Sequence, residues 1–341
     1  MDFNADAWAH LRATRANPPA PARGCDQRRV TYQFGLEQAE QLFRQAAAAS
    51  PATRPLPLFY GLSQAGRAIA AATSTATDGE WKLTGHGIHA KNLSGPLPDV
   101  QISTGPADKA GSFARLSQFL GSPVWGTTTV RLELLWDCLP EAEAWPLCHS
   151  ITQQRRIPLQ ADYQIPAIEQ PIVRAVVRPL PHRVISSPNP QPLSEYLGGF
   201  PDVVGYGFDR RGLGVDADPA YQPLGDGTGE LTLTWTADLG EHYTARVELL
   251  NTKTRAYLGG RYFFPGLGTP GAERGLHPLM AWWAVLYALS MLTRYQPVEW
   301  ARHIDVNTSE SAVPIEELLR TALDILPELI RETIDEVVND G

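Results

Sequence analysis

The sequence predicts an α+β fold, with a helical core built from the N- and C-terminal parts of the chain and a β-rich, loop-rich insertion in the middle. Residues 279–292 form an apolar run that is too short to span a bilayer, which needs about twenty residues, so we expect the central helix of a core. Residues 35–72 repeat apolar side chains at helical spacing. Between residues 73 and 275 the repeat shifts toward two, and proline and glycine become frequent.

The N-terminal elements follow from apolar spacing and from helix breakers. A short leading helix and a proline-rich linker are predicted within residues 1–24, and an N-terminal helical part within residues 25–125. Ser50 and Pro51 end the first long helix, and a second helix follows. The second helix carries small residues that allow another helix to approach closely, namely Gly61, Ala65, Gly66 and Ala70.

The middle part, residues 126–275, is predicted to form a sheet. Short stretches rich in β-formers or with alternating side chains indicate strands. The expected strands are residues 174–178, 231–235, 245–249 and 255–264. Residues 185–193 and 209–228 are rich in Pro, Gly, Asp and Ser, which indicates long loops. Whether this part is an independent domain stays open.

The C-terminal helical part, residues 276–341, is expected to pack on the N-terminal helices. After the apolar helix, a last helix opens near Pro314 and carries an apolar stripe at helical spacing. Pro327 lies inside that stripe, so we expect the helix to kink or to split there.

The composition of the 341 residues is that of a globular protein. Hydrophobic residues make up 43% and charged residues 19%, which excludes wholesale disorder. The net charge of −8 gives no general attraction to nucleic acid or to an anionic membrane. Any polyanion site therefore has to be local, and no membrane partner is expected.

The cysteines and the N-terminus favour a cytoplasmic protein without a metal or cofactor. The chain has three cysteines, and residues 1–10 lack the apolar stretch of a signal peptide. The spacing of Cys138, Cys148 and His149 matches no zinc motif. Neither a Gly-x-Ser-x-Gly elbow nor a phosphate-loop fingerprint occurs, so whether the protein is an enzyme stays open.

Two charged residues near the apolar helices are candidates for a site. Arg67 comes directly after Gly66 on an otherwise apolar helix. We expect one of three roles for its guanidinium: it pairs with a carboxylate such as Glu40 or Glu299, it reaches solvent, or it binds the phosphate or carboxylate of a ligand. His86 lies between two glycines, which indicates either a tight turn or a proton-transfer group close to a ligand.

Further candidates lie at the end of the central helix. Arg294 and Tyr295 are placed to cap its last carbonyls, and Trp300 fits an ordinary core aromatic as well as a site residue. The sequence defines a site only if Arg294 converges on Arg67 and His86.

The segments that carry these residues resemble a known family. Residues 58–68, the Gly-His-Gly of residues 85–87 and the string Ser-Met-Leu-Thr-Arg-Tyr-Gln-Pro-Val-Glu-Trp of residues 290–300 are similar to the YaaC-like family of bacterial proteins. The resemblance covers the two helical ends. It implies no reaction, because the family has no established activity.

A second resemblance is to the helical HEPN domains. Phe59, Tyr60, Arg67, Ala68 and His86 occur in the order of an aromatic-rich helix followed by a loop bearing His. This resemblance implies an RNA- or nucleotide-binding effector in bacterial stress or phage defence, with nuclease activity in some members. The ribonuclease members place an Arg at a set short distance before a His, and none of the eight histidines here shows that spacing.

The primary expectation is a ligand- or partner-binding protein with an adaptor or regulatory role, and the HEPN-like effector is the alternative. The expected partner is another protein, a nucleotide or RNA. Exposed apolar faces on the first and last helices favour a homodimer. The candidate ligand-binding residues are Tyr60, Arg67, His86, Arg294, Tyr295 and Trp300.

Overall fold

The computed structural model describes residues 4–77, 79–105, 111–147, 155–166, 170–187, 189–208, 219–238, 242–269 and 274–339. Helices at both ends and a sheet-rich middle confirm the predicted α+β fold. The chain divides into two compact units. The helical unit comprises residues 1–155, 269–272 and 276–341, and the sheet unit comprises residues 156–268 and 273–275.

The helices and strands alternate irregularly along the described chain. The helices are α1 (Ala5–Ala16), α2 (Asp26–Ala48), α3 (Pro55–Ala72), α4 (Ser112–Phe119), α5 (Leu132–Trp136), α6 (His182–Ile185), α7 (Gln191–Leu197), α8 (Tyr243–Lys253), α9 (Pro278–Tyr295), α10 (Pro297–His303) and α11 (Ala312–Asn339). The strands are β1 (His89–Lys91), β2 (Gln101–Ser103), β3 (Val130–Arg131), β4 (Leu159–Gln164), β5 (Ile172–Leu180), β6 (Gly207–Phe208), β7 (Gln222–Pro223), β8 (Gly229–Thr236), β9 (Arg255–Tyr257) and β10 (Gly260–Phe263).

Helix α9 is the centre of the helical unit. Every residue from Pro278 to Leu292 is buried, including Trp282 and Trp283. Helices α3, α4, α5, α10 and α11 and strand β1 all contact α9. A helix that is apolar all round has to be enclosed by neighbours, so the predicted central helix is confirmed.

Helices α2 and α3 begin and end where the breakers indicated. Helix α2 ends at Ala48, just before Ser50 and Pro51, and α3 opens with Pro55, whose missing N–H is not needed in the first turn. The guanidinium of Arg28 on α2 donates hydrogen bonds to carbonyls at the C-terminal end of α3, which satisfies two otherwise unpaired acceptors.

Two glycines of α3 allow its neighbours to approach closely. A Cβ atom on Gly61 would lie 2.7 Å from the ring of Phe43 on α2. A Cβ atom on Gly66 would lie 2.4 Å from the ring of Trp283 on α9. Both distances are well below van der Waals contact, so α3 packs between α2 and α9 only because these positions lack side chains.

Two segments that contain proline, residues 17–24 and helix α11, differ from their predicted form. Residues 17–24 connect α1 with α2, but Pro21–Arg23 form a 3-10 helix and Ala22 is fully buried, so this segment is packed. Helix α11 runs through Pro327 without a break. Of the two expected effects of Pro327, a kink or a split, the split is therefore wrong, because the buried apolar stripe continues on both sides of Pro327 and holds the helix together.

The sheet unit is an antiparallel sheet with the strand order β6-β8-β5-β4-β10-β9, and β7 pairs with β8. The paired strands β5 and β8 alternate buried and less buried side chains, as expected of a sheet with one face on a core. The buried positions lie opposite one another, with Val173 paired to Trp235, Ala175 to Leu233 and Val177 to Leu231. Leu197 of α7 and Leu250 of α8 belong to the same core.

Two predicted strands differ from the structure. Residues 255–264 form two antiparallel strands, β9 and β10, joined by a turn at residues 258–259, in place of a single strand. Residues 245–249 lie within helix α8, not in the sheet. The five residues Ala-Arg-Val-Glu-Leu alternate in polarity, but most of them are good helix formers. The buried positions Arg246 and Leu250 are four residues apart, which is helical spacing.

The long loops predicted in the middle part are only partly described. Residues 185–193 contain the end of α6 and the start of α7, so this loop is shorter than expected. Residues 209–218 lie outside the described residues, and Gln222–Pro223 pair with β8.

Among the described helices, none combines the length and the hydropathy that a bilayer crossing requires.

We predict that Gly66→Ala destabilises the protein. The new methyl group would lie 2.4 Å from the ring of Trp283, so the ring or the helix has to shift. Overpacking costs about 1 to 3 kcal/mol, and a contact this close belongs to the upper part of that range, above the gain of roughly 1 kcal/mol in helix propensity. The measurement is chemical unfolding followed by circular dichroism and tryptophan fluorescence. Gly225→Ala is the control, because a Cβ atom there meets nothing within 4 Å. Equal unfolding midpoints for Gly66→Ala and the unmutated protein would contradict this account of α3 packing.

Candidate functional site

Five side chains from three segments of the helical unit form a cationic and aromatic group, which we call the His86 cluster. They are Tyr60 and Arg67 of α3, His86 of the loop between α3 and β1, and Tyr287 and Arg294 of α9. Arg294 contacts Tyr60, whose ring neighbours that of His86, and the charges of Arg67 and Arg294 both act on the imidazole.

The imidazole of His86 rests against aromatic rings. Its centroid lies 5.6 Å from Phe59, 6.0 Å from Tyr287 and 6.5 Å from Tyr60. Phe59 is fully buried and lies 5.3 Å from Tyr287, so these two rings form an apolar floor below the imidazole. Tyr60 is half-buried, and His86 itself is exposed to solvent.

The backbone of the His86 loop is held by the start of α4. Gly85 and Gly87 both adopt positive φ angles, +60° and +68°, which favour glycine. Ser112 donates a hydrogen bond of 2.6 Å to the carbonyl of Gly85, and the amide of Phe113 donates one of 2.9 Å to the carbonyl of His86. Hydrogen bonds to the start of α4 therefore hold the backbone that presents the imidazole.

Arg67 is oriented by the backbone and not by a carboxylate. Its Nη1 donates a hydrogen bond of 2.9 Å to the carbonyl of Leu83. The two carboxylates considered from sequence have other partners: Glu40 lies 2.6 Å from Arg12 and 2.7 Å from Arg44, and Glu299 lies 2.8 Å from Arg302. Pairing of Arg67 with either of them is therefore wrong.

Arg294 links the C-terminal end of α9 to α3. Its Nη1 donates a hydrogen bond of 3.0 Å to the hydroxyl of Tyr60, and its guanidinium carbon lies 5.0 Å from the ring centroid of Tyr295. Tyr295 is 57% exposed, so its ring presents an aromatic surface to solvent beside the cation. Arg294 also suits the negative end of the helix dipole.

The cluster has an excess of positive charge. Within the described part of the chain, neither Arg67 nor Arg294 lies within ion-pairing distance of a carboxylate. Partial burial lowers the pKa of His86 below its usual value, and the charges of Arg294, Arg67 and His89 lower it further. The imidazole is therefore kept neutral near pH 7, next to two permanent cations.

Tyr287 is a member of the cluster that sequence reasoning missed. It is 6% exposed, and burial raises the pKa of its hydroxyl, with smaller contributions from Tyr295 and Tyr60. The signal was present, because Tyr287 carries a hydroxyl group within an otherwise apolar run. Buried tyrosine hydroxyls usually have a hydrogen-bond partner. The ring of Tyr287 lies beside that of His86.

Trp300 lies apart from the cluster in its interactions. Its indole N–H donates a hydrogen bond of 2.7 Å to the carbonyl of Ala52, and the side chain is buried. This contact ties α10 to the connection between α2 and α3. The core-aromatic interpretation of Trp300 accounts for these observations.

The described residues contain no group of three or more His, Cys, Asp or Glu side chains that could hold a metal ion. Cys138 is buried, whereas Cys148 and His149 lie outside the described residues.

The fold and the cluster define an α+β protein whose helical unit presents a histidine on aromatic rings, with two arginines whose charges act on it. A family model described as YaaC-like protein matches residues 7–334. The chain therefore belongs to the YaaC-like protein family, and the predicted resemblance is confirmed. A search of the curated proteins gave no match, and neither did a search of the solved structures.

We predict that Arg294→Gln raises the pKa of His86. Removal of one neighbouring cation makes the imidazolium less unfavourable, so the pKa moves back toward its ordinary value near 6.5. The measurement is an NMR titration of the His86 ring protons, assigned with His86→Gln. Arg302→Gln removes an exposed arginine that is already paired with Glu299 and serves as control. An unchanged titration in Arg294→Gln would show that the two side chains are not close in solution.

Proposed function

We propose that this YaaC-like protein binds a phosphate-bearing ligand at the His86 cluster, in a ligand-binding role without catalysis. The observation that carries the proposal is the pair of arginines, Arg67 and Arg294, whose charges both act on His86 and which have no carboxylate partner among the described residues. In a chain with a net charge of −8, such a local group of cations stands out from its surroundings.

The chemistry of the cluster favours phosphate. A guanidinium carries five N–H donors in a planar fork that matches phosphate oxygens, and such charge-assisted hydrogen bonds are among the strongest in proteins. The hydrogen bond from Arg67 to Leu83 uses one donor and fixes the orientation of the group. The bond from Arg294 to Tyr60 does the same for the second guanidinium. Pre-oriented donors lose less entropy when they bind a ligand.

The aromatic residues favour a phosphate ligand that carries a base. The exposed ring of Tyr295 lies beside Arg294, where a nucleobase can stack while its phosphates reach the guanidinium. Stacking of a base on an aromatic side chain contributes about 1 to 3 kcal/mol, without requiring a particular base. A nucleotide or the end of a single-stranded RNA therefore fits this proposal.

The first prediction concerns the arginines. Arg67→Gln and Arg294→Gln should each weaken the binding of inorganic pyrophosphate and of ADP at least about tenfold, since each removes a charge-assisted contact. The measurement is isothermal titration calorimetry, preceded by native mass spectrometry of the purified protein to detect a bound nucleotide. Arg302→Gln is the control. If neither probe binds, or if both variants bind like the unmutated protein, the proposal is overturned.

Tyr295→Ala separates the base from the phosphates. It should weaken ADP binding but leave pyrophosphate binding unchanged, because only ADP can stack. Tyr243→Ala removes another exposed tyrosine, in the sheet unit, and is the matched control. Equal losses for both probes would exclude stacking on Tyr295.

A further prediction concerns the pH dependence of ligand binding. Because a bound phosphate favours the imidazolium, the pKa of His86 should be higher in the complex than in the free protein. The affinity for the phosphate ligand should therefore rise as the pH falls. The rise begins near the pKa that His86 has in the complex and is complete below the lowered pKa that it has in the free protein. His86→Gln should remove this dependence, whereas His10→Gln, at an exposed position of α1, should not. A pH profile that is the same in His86→Gln as in the unmutated protein would exclude His86 from the contact.

A further inference from the structure

The outer side of α2 presents an uncharged stripe to solvent. Six exposed residues recur at steps of three and four, and none of them carries a charge; they are Gln27, Val30, Phe34, Gln38, Gln41 and Gln45. Phe34 lies in the middle of the stripe and is 58% exposed, and Val30 is 43% exposed. We call this surface the α2 stripe.

The α2 stripe differs from the other long outer helix of the same unit. The exposed positions of α11 include Glu316, Arg320, Asp324 and Asp335, so its solvent side is mostly charged. Charged residues are depleted in the centre of protein interfaces, whereas aromatic residues are enriched there. The α2 stripe therefore has the composition of an interface centre, and the outer side of α11 has that of an ordinary surface.

Charges of opposite sign lie on one flank of the α2 stripe, near its two ends. Asp26 is in the first turn of α2 and Arg44 is in the last turn but one. They are equally distant in sequence from Gly35, and Phe34 is next to that midpoint. In an antiparallel pair of identical helices the same flank faces itself with its ends exchanged. Asp26 of one copy would then meet Arg44 of the other, twice.

We propose that the α2 stripe binds a second copy of this chain, with the two α2 helices antiparallel and related by a two-fold axis that passes beside Phe34, at the level of Gly35 along the helix. The two Phe34 side chains meet at the axis, glutamines flank them, and two pairs of Asp26 with Arg44 fix the direction. Each of these charged groups now pairs within its own helix, Asp26 with Arg29 at 2.8 Å and Arg44 with Glu40 at 2.7 Å. The pair of Asp26 with Arg29 is exposed on both sides and therefore weak. Glu40 is buried, but it keeps Arg12 as a partner at 2.6 Å when Arg44 turns to the other copy.

The expected dimer is weak. A helix of 23 residues is roughly 34 Å long, and one helix face buries less surface than the roughly 800 Å² per partner of a standard interface. The dimer should therefore form at micromolar concentration and should weaken as salt screens the charge pairs. The inference is independent of the His86 cluster.

The first test is sedimentation velocity of the full chain over a range of about 1 to 100 µM. The unmutated protein should dimerise, and Phe34→Glu should raise the dissociation constant at least about tenfold, since it places two like charges at the axis. Tyr243→Glu adds the same charge at another exposed aromatic residue and should leave the dimer intact. Circular dichroism checks that each variant is folded. A protein that is monomeric throughout, or a dimer insensitive to Phe34→Glu, overturns the proposal.

The second test concerns direction. Asp26→Arg or Arg44→Asp alone creates two like-charge pairs across the axis and should weaken the dimer several-fold. The double variant restores both pairs in the antiparallel arrangement and should recover the dimer. In a parallel arrangement residues 26 and 44 of the two copies lie at opposite ends of the interface and do not meet, so the double variant would not recover the dimer. Failure of the double variant to dimerise better than either single variant would exclude the proposed pairing.

Discussion

The helical unit depends on the burial of α9 on all sides. A helix without a polar face cannot lie on a surface, so other helices have to cover it completely. Helices α3 and α11 supply part of this cover, although they come from opposite ends of the sequence. The requirement joins the two ends of the chain into one unit and leaves the middle to form the sheet unit. The α+β organisation is thus a consequence of one apolar run.

The contact between α3 and α9 also builds the His86 cluster. Gly66 meets Trp283 in this contact, and Phe59 meets Tyr287 further along the two helices. Beyond that point, Tyr60 comes within hydrogen-bonding distance of Arg294. The side chains of the cluster are therefore positioned by the core beneath them. A site supported in this way is more precise than one built from loops alone.

The parts of the fold that the sequence predicted are those with long, strongly periodic patterns. Helices α2, α3 and α9 and the pairing strands β5 and β8 carry such patterns, and the structure has them where they were expected. Residues 245–249 were too short for polarity alone to separate strand from helix, and helix propensity decided the outcome. The continuity of α11 at Pro327 was equally hidden, because tertiary packing there outweighs the lost hydrogen bond.

The sequence allowed only part of the candidate site to be predicted. The residue types and their attachment to apolar helices could be recognised, since an arginine beside a buried face needs a partner. What could not be read is which partner each cation has, because that depends on contacts between segments more than 200 residues apart, as between Tyr60 and Arg294. Glu40 and Glu299 were plausible partners for Arg67 until the structure placed other arginines on both.

Helix α3 lies between the two surfaces proposed for binding. It contacts α9 on one side through Gly66 and α2 on another through Gly61, whereas the α2 stripe faces solvent. Gly35 and Phe43, which face α3, lie on the side of α2 away from the stripe. A second copy on the α2 stripe therefore leaves the His86 cluster uncovered. Ligand binding and self-association use separate surfaces of one helical unit, so each copy in a dimer keeps its own site.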